Sequence, residues 1–164
     1  MNTEVPSENS FIVLKTTLGD IKLELYNTTM PITAGNFQKL VEEKFYDGII
    51  FHRIIDGFMV QGGDPDGTGT GGPGYTIEDE FPPEVAEQNT NVRGTISMAN
   101  AGPDTGGSQF FLNLVDNTNL DGLHPVFGKI VDGLKVLDKL GKVETDATDR
   151  PLEEVSIVKA TIVE

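Results

Sequence analysis

Residues 51–64, FHRIIDGFMVQGGD, read as two short strands, Ile49 to Ile55 and Phe58 to Gly62, folded back on each other about Asp56-Gly57, a favoured tight-turn pair. Residues two apart on a strand share a face, so Phe51, Arg53 and Ile55 should point one way and His52 and Ile54 the other, while Met59 and Gln61 share a face on the second strand. Arg53 is the one cation in this apolar and acidic stretch. A strand arginine can be a solvated edge residue, an ion-pair partner or a group held over a substrate.

Hairpins of this kind recur on both sides. Ser10 to Thr16 and Asp20 to Tyr26 are joined through Leu18-Gly19, and Ile21, Leu23 and Leu25 alternate with Lys22 and Glu24, as expected of a half-buried strand. Further strands are expected at Gly94 to Ala99, Gln109 to Val115, Val126 to Val131 and Val155 to Val163. Two segments have helical spacing instead. Pro31 can open a helix carrying Ala34, Phe37, Leu40 and Val41 through about Glu43, and Leu134, Leu137 and Leu140 share a face that ends at Gly141. Eight strands and two helices predict a mainly β fold: a closed eight-stranded antiparallel barrel capped by two α-helices, closure being the solution that leaves no exposed edge.

The 164 residues suit one domain with a single core, expected over 10–164, with residues 1–9 a flexible, polar N-terminal segment. The chain has no cysteine, which excludes disulfides, thiolate metal sites and cysteine nucleophiles and suits a reducing compartment, so a cytoplasmic monomer is expected. No apolar run approaches membrane-spanning length, and a net charge of -14 would repel phosphate backbones and anionic lipid, so neither nucleic acid nor membrane is expected as a partner.

The segment Gly63 to Pro83 is rich in Gly, Pro and acidic residues and has no periodicity, which makes it either functional or wrapped on the surface. Its Gly67-Thr-Gly-Thr-Gly-Gly72 formally fits the dinucleotide pattern G-x-G-x-x-G. Pro73-Gly74 follows where a helix should begin, so that reading is rejected. Asp64, Asp66, Glu78, Asp79 and Glu80 lack the spacing of a calcium loop and read as a solvated acidic stretch. Gly-Gly-Ser108-Gln-Phe is not a nucleophile elbow. No metal site is expected.

In QFFLN, Gln109, Phe111 and Asn113 oppose Phe110, Leu112 and Leu114, and the purely apolar set should be the barrel core. The other set joins Arg53, Met59 and Gln61 in a mixture of one guanidinium, amides, a thioether and an aromatic ring. That mixture fits either an apolar pocket with a few orienting polar groups or a minor core under a helix.

FHRIIDGFMVQGGD, GTISMANAGPDTGGSQFFLNL and NLDGLHPVFGKIVDG, in that order over nearly the whole chain, resemble the cyclophilin-type peptidyl-prolyl cis-trans isomerases. The resemblance implies the capped barrel, an enzyme acting without a cofactor on X-Pro bonds of proline-containing peptides and folding polypeptides, and a role for each matched residue. Arg53 is implied as catalytic. Phe58, Met59, Phe111 and Leu120 would line the pocket for the proline ring. Gln61, Asn100, Gln109 and His124 would hold or border the peptide, Asn100 through its backbone, and Ala99 and Ala101 would allow its close approach. Asn119 stands where many members carry a tryptophan that packs on cyclosporin, so weakened cyclosporin binding is expected. The acidic residues around Arg53 argue for basic or neutral residues beside the substrate's proline.

Overall fold

The computed structural model describes residues 5–163; the first four residues of the expected N-terminal segment lie outside them. Eight strands form one antiparallel sheet: β1 (Phe11–Thr16), β2 (Gly19–Leu25), β3 (Arg53–Ile55), β4 (Met59–Gly62), β5 (Thr95–Met98), β6 (Phe110–Asn113), β7 (Val126–Asp132) and β8 (Ile157–Val163). Helices α1 (Pro31–Glu42) and α2 (Leu134–Gly141) complete the regular structure, with single 3₁₀ turns at Pro83–Val85 and Thr118–Leu120. Neither helix is long and apolar enough to cross a membrane.

The strand order is β3-β4-β6-β5-β7-β2-β1-β8, which makes β3 and β8 the two ends of the sheet. The sheet curls until these ends approach. Ile50 bridges Ser156, and Phe51 N–H to Val155 C=O (2.9 Å) and Ile157 N–H to Ile49 C=O (2.9 Å) flank that bridge. The contact is an isolated bridge and not a continuous ladder, so the sheet is a curled barrel-like form. α1 packs on β7 and β8, and α2 on β2, β3 and β4.

The expected third strand is cut short for the same reason. Residues 49–51 spend their backbone groups on the segment leading into β8, and only Arg53–Ile55 pairs with β4. Period-two alternation holds only within a paired strand. Phe51 therefore does not share a face with Arg53: its ring meets Phe110 edge-on in the core, centroids 6.5 Å apart, and it is 1% exposed.

The core is the apolar alternation set, as expected: Ile12, Leu14, Ile21, Leu23 and Leu25 from the first hairpin, with Val60, Phe110 and Leu112, are all fully buried. Phe37 of α1 plugs into it, against Tyr46 (centroids 4.9 Å), Phe127 (5.3 Å) and, edge-on, Phe110 (5.5 Å). Tyr46 keeps its hydroxyl satisfied by donating to the Ser108 carbonyl (2.9 Å), and burial pushes its phenol well above the usual range.

The long segment after β4 is neither periodic nor merely solvated. Asp64 is 1% exposed, and its carboxylate accepts the backbone N–H groups of Asp66 (2.8 Å), Thr68 (3.0 Å) and Gly69. A Cβ on Gly71 would collide with the same carboxylate, so only glycine fits there. Burial alone would raise the Asp64 pKa, but backbone donors from Asp66, Gly71, Gly69 and Thr68 outweigh it and hold the carboxyl below its usual range. Further along, Glu80 reaches back to α1, accepting from Ile32 N–H (3.1 Å), Thr33 N–H (2.6 Å) and the Thr33 hydroxyl (2.6 Å). Met30 at the helix N-cap supplies no side-chain bond, so this distant carboxylate takes over the capping of orphan donors.

Candidate active site

Register places the site residues in one row. Across β3, β4, β6 and β5, Arg53 faces Gln61, Gln61 faces Phe111, and Phe111 faces Ser97. Because all four lie at matched positions on neighbouring strands, their side chains emerge on one side of the sheet. Met59, two residues before Gln61, joins them on that side and is 2% exposed.

Around this row lies a cavity of about 260 Å³ lined by Arg53, Phe58, Met59, Gln61, Ala99, Asn100, Phe111, Leu120 and His124. A second, of about 440 Å³, shares Gln61, Ala99 and Asn100 and adds Ala101, Gln109 and the Gly69–Pro73 loop. Every sequence-predicted site residue lines one or both. The mixed face lines open cavities and is not a helix-covered minor core: α2 contacts β3 and β4, but no residue of either helix lines these cavities.

A directed chain of hydrogen bonds holds the guanidinium. Arg53 Nη1 donates to Gln61 Oε1 (3.4 Å), Gln61 Nε2 donates to Gln109 Oε1 (3.0 Å), and Gln109 Nε2 donates to the carbonyls of Gly69 and Gly71 (3.0 Å each). The loop carbonyls at one end fix both amide orientations, leaving an acceptor for Arg53. Arg53 itself is exposed and forms no ion pair among the described residues. It is oriented but not neutralised. The loop that fits the dinucleotide pattern thus presents carbonyls to a glutamine.

The apolar side is equally constrained. The His124 ring stands edge-on to Phe111 (centroids 5.3 Å, 83°), and its Nδ1 lies 3.0 Å from the Met98 carbonyl. Asn100 donates from its side chain to the Leu123 carbonyl (2.9 Å) and lines both cavities.

Beneath Phe111 lies a buried polar network that the sequence reading did not assign. Asn113, fully buried, donates to Thr95 Oγ1 (2.9 Å) and Asn91 Oδ1 (3.2 Å). Its own carbonyl accepts from Asn117 (2.9 Å), which also donates to the Phe58 carbonyl (3.0 Å). Asn91 is bonded by Ser97 (2.6 Å) and donates to Asp121 (3.0 Å). These bonds pin the Phe58 and Leu120 ends of the pocket to the sheet. The one available signal was Asn113 itself, an amide placed by alternation on the Phe111 face.

No group of three or more His, Cys, Asp or Glu among the described residues is arranged to hold a metal ion. What the site offers is a single fixed cation at the edge of an apolar pocket, with amides and a carbonyl-lined loop beside it. A family-model match over residues 11–162 and a relative 51% identical show that the chain belongs to the cyclophilin-type peptidyl-prolyl cis-trans isomerases.

The family model described as cyclophilin type peptidyl-prolyl cis-trans isomerase matches residues 11–162. Among similar proteins, peptidyl-prolyl cis-trans isomerase-like 1 of Gibberella zeae is 51% identical over 156 residues, covering 93% of this chain and 94% of that protein. A peptidyl-prolyl cis-trans isomerase of Schizosaccharomyces pombe is 47% identical, covering 91% and 96%. A Cryptosporidium parvum cyclophilin-type isomerase superposes with a TM-score of 0.90 at 36% identity, covering 95% of this chain and 98% of that one. A second structure of it, determined in the presence of the dipeptide Ala-Pro, gives 0.88 at 37% identity, covering 94% and 99%.

Proposed function

We propose that the enzyme accelerates X-Pro isomerisation in peptides and folding polypeptides by holding the proline ring in the Phe58, Met59, Phe111 and Leu120 pocket while Arg53 stabilises the twisted amide. The observation that carries this is the exposed guanidinium, bonded to Gln61 and in no ion pair among the described residues, which lines with Phe58, Met59, Phe111 and Leu120 a cavity of about 260 Å³, room enough for a proline ring.

The X-Pro bond resists rotation by roughly 18–20 kcal/mol because the nitrogen lone pair is delocalised into the carbonyl. No covalent bond needs to break. As the amide twists, the nitrogen recovers its lone pair and becomes a hydrogen-bond acceptor, which it is not when planar. A fixed donor then binds the twisted state more tightly than either planar isomer, and only such differential binding accelerates the step. A reduction of about 7 kcal/mol corresponds to roughly 10⁵-fold.

In this reading Gln61 and Gln109 hold the donor and the peptide backbone, Asn100 offers its backbone, and Ala99 and Ala101 leave room for the chain. His124 supports Phe111. The reaction as written uses no cofactor. The isolated bridge between residues 50 and 156 is the basis for reading the curled sheet as a closed barrel. Asn119 sits exposed in the 3₁₀ turn that delivers Leu120, so the reading extends to weak cyclosporin binding there. It also extends to a monomer working in the cytoplasm.

Titration with an Ala-Pro-containing peptide, followed by backbone NMR, tests the placement. Shift changes are expected to centre on Phe58, Gln61, Phe111 and Leu120 at substrate concentrations that saturate turnover. A peptide that is turned over while shifting residues elsewhere would refute it.

A further inference from the structure

On the far side of the Arg53–Gln61 pair from the proline pocket lies a third cavity, of about 320 Å³, lined by His52, Arg53, Gln61, Gly67, Thr68, Gly69, Thr148 and Arg150. Its charge is opposite to that of the rest of the molecule. The chain carries a net charge of -14 and only three arginines, and two of them, Arg53 and Arg150, face this one cavity. No carboxylate lines it.

Asp64 and Asp146, two of the carboxylates near this cavity in the chain, are already engaged, while Asp66 and Glu154 line a separate neighbouring cavity that Arg150 also borders. Asp64 is held by the backbone N–H groups of its own loop. Asp146 accepts the Thr148 N–H (2.8 Å), the Thr148 hydroxyl (2.7 Å) and the Arg150 N–H (3.1 Å), which closes the turn that presents Arg150. The Asp149 carbonyl accepts from Ile54 N–H (2.8 Å), docking that turn against β3.

Arg150 donates one Nη1 bond, to the Gly67 carbonyl (2.6 Å), and its remaining N–H groups have no hydrogen-bond partner among the described residues. His52 is a second, independent sign. It is 7% exposed, it lines the cavity, and its Nδ1 is buried with no hydrogen-bond partner among the described residues. Burial holds the imidazole below its usual range. Asp64 opposes that shift, and Arg150 and Arg53 reinforce it.

We propose that this cavity is a specificity subsite for an anionic side chain, carboxylate or phosphate, carried within two residues of the substrate's proline, with Arg150 as its anchor. The inference rests on the placement of proline beside Arg53. Arg53 is committed to Gln61 and to the reacting amide, whereas Arg150 has free donors in the fork geometry that matches an oxyanion. The long-range field of an acidic protein favours basic flanking residues, but a direct charge-assisted contact at close range dominates a screened charge at a distance. The subsite therefore reverses the preference at one position.

The test uses the full chain and proline peptides with Glu or phosphoserine at each of the two positions on either side of proline, against Gln and Ser counterparts. At one position the anion is expected to lower KM at least fivefold with little change in kcat, more for phosphoserine than for Glu if the site is built for phosphate. Arg150→Gln, which removes the charge and keeps a polar side chain, should abolish that preference. Arg150→Lys, which keeps the charge but loses the fork, should keep only part of it. Turnover of the neutral peptides serves as the control for folding. Neutral peptides turned over with no anion preference at any position, or a preference that survives in Arg150→Gln, would overturn the subsite alone. Absence of turnover of neutral peptides by the wild type would instead overturn the isomerase reading.

Discussion

Gln61→Glu replaces an amide by a carboxylate of the same shape at the atom that now orients Arg53. Two effects follow from the geometry. The neutral acceptor 3.4 Å from Nη1 becomes an anion, and because Arg53 is exposed the resulting ion pair is worth about 1 kcal/mol. That attraction competes with the developing nitrogen lone pair for the same donors. The carboxylate also cannot donate to Gln109 Oε1, now 3.0 Å from Gln61 Nε2, so Gln109 loses a partner or flips and releases the Gly69 and Gly71 carbonyls, at a cost of about 1 kcal/mol more.

Together these reduce kcat/KM by about 2 kcal/mol, roughly thirtyfold. Gln61→Ala removes both hydrogen bonds without adding charge and should cost only the second part, about fivefold. The assay is isomerisation of a neutral proline peptide, with peptide affinity measured alongside. The loss should fall on kcat, since the proline ring contacts are untouched. If Gln61→Glu retained kcat/KM within twofold of wild type, the claim that the guanidinium must be oriented without being neutralised would be refuted.

Three further outcomes follow from the same structure. Asp64→Asn should destabilise the fold by about 2 kcal/mol in chemical denaturation, because a buried charged acceptor of several backbone donors is lost. The folded Asp64 pKa lies below its unfolded value, so its contribution is complete above about pH 4 and is lost as pH falls through the folded pKa; the variant should show a flatter acid limb of stability. Glu80→Ala should lower stability by about 1 kcal/mol with an unchanged denaturant slope, since it uncaps α1 without altering the buried core. Asn119→Trp should strengthen cyclosporin binding by isothermal titration, because an indole on the Thr118–Leu120 turn adds apolar area beside the cavity.

The strands were legible where a residue's neighbours alone decide its face. Alternation in Phe110–Asn113 and Met59–Gly62 put Phe111, Gln61 and Met59 together before any pairing was known, and the observed register agrees. Phe51 was misplaced because its segment bonds to residues around 156, more than a hundred positions away, and no local pattern announces that. Asp64 and Glu80 were read as solvated acids for the same reason. Each finds its backbone donors only when the loop after β4 is folded, and Glu80 finds them 47 and 48 residues upstream. The asparagine network was hidden because amides carry no periodic signal, although Asn113 lay in plain sight beside Phe111. The long-range motifs of the family, by contrast, assigned roles to side chains whose meeting depends on the whole sheet.

The central claim is that Arg53 stabilises the twisted amide and contributes little to ground-state binding. Arg53→Ala, with isomerisation kinetics and peptide binding measured in parallel, tests it most directly. The account predicts a loss of roughly 10²–10³ in kcat, the range for removing one donor aimed at developing charge, with peptide affinity changed by less than about threefold. Undiminished kcat in a folded Arg53→Ala protein, or a loss confined to affinity, would contradict it.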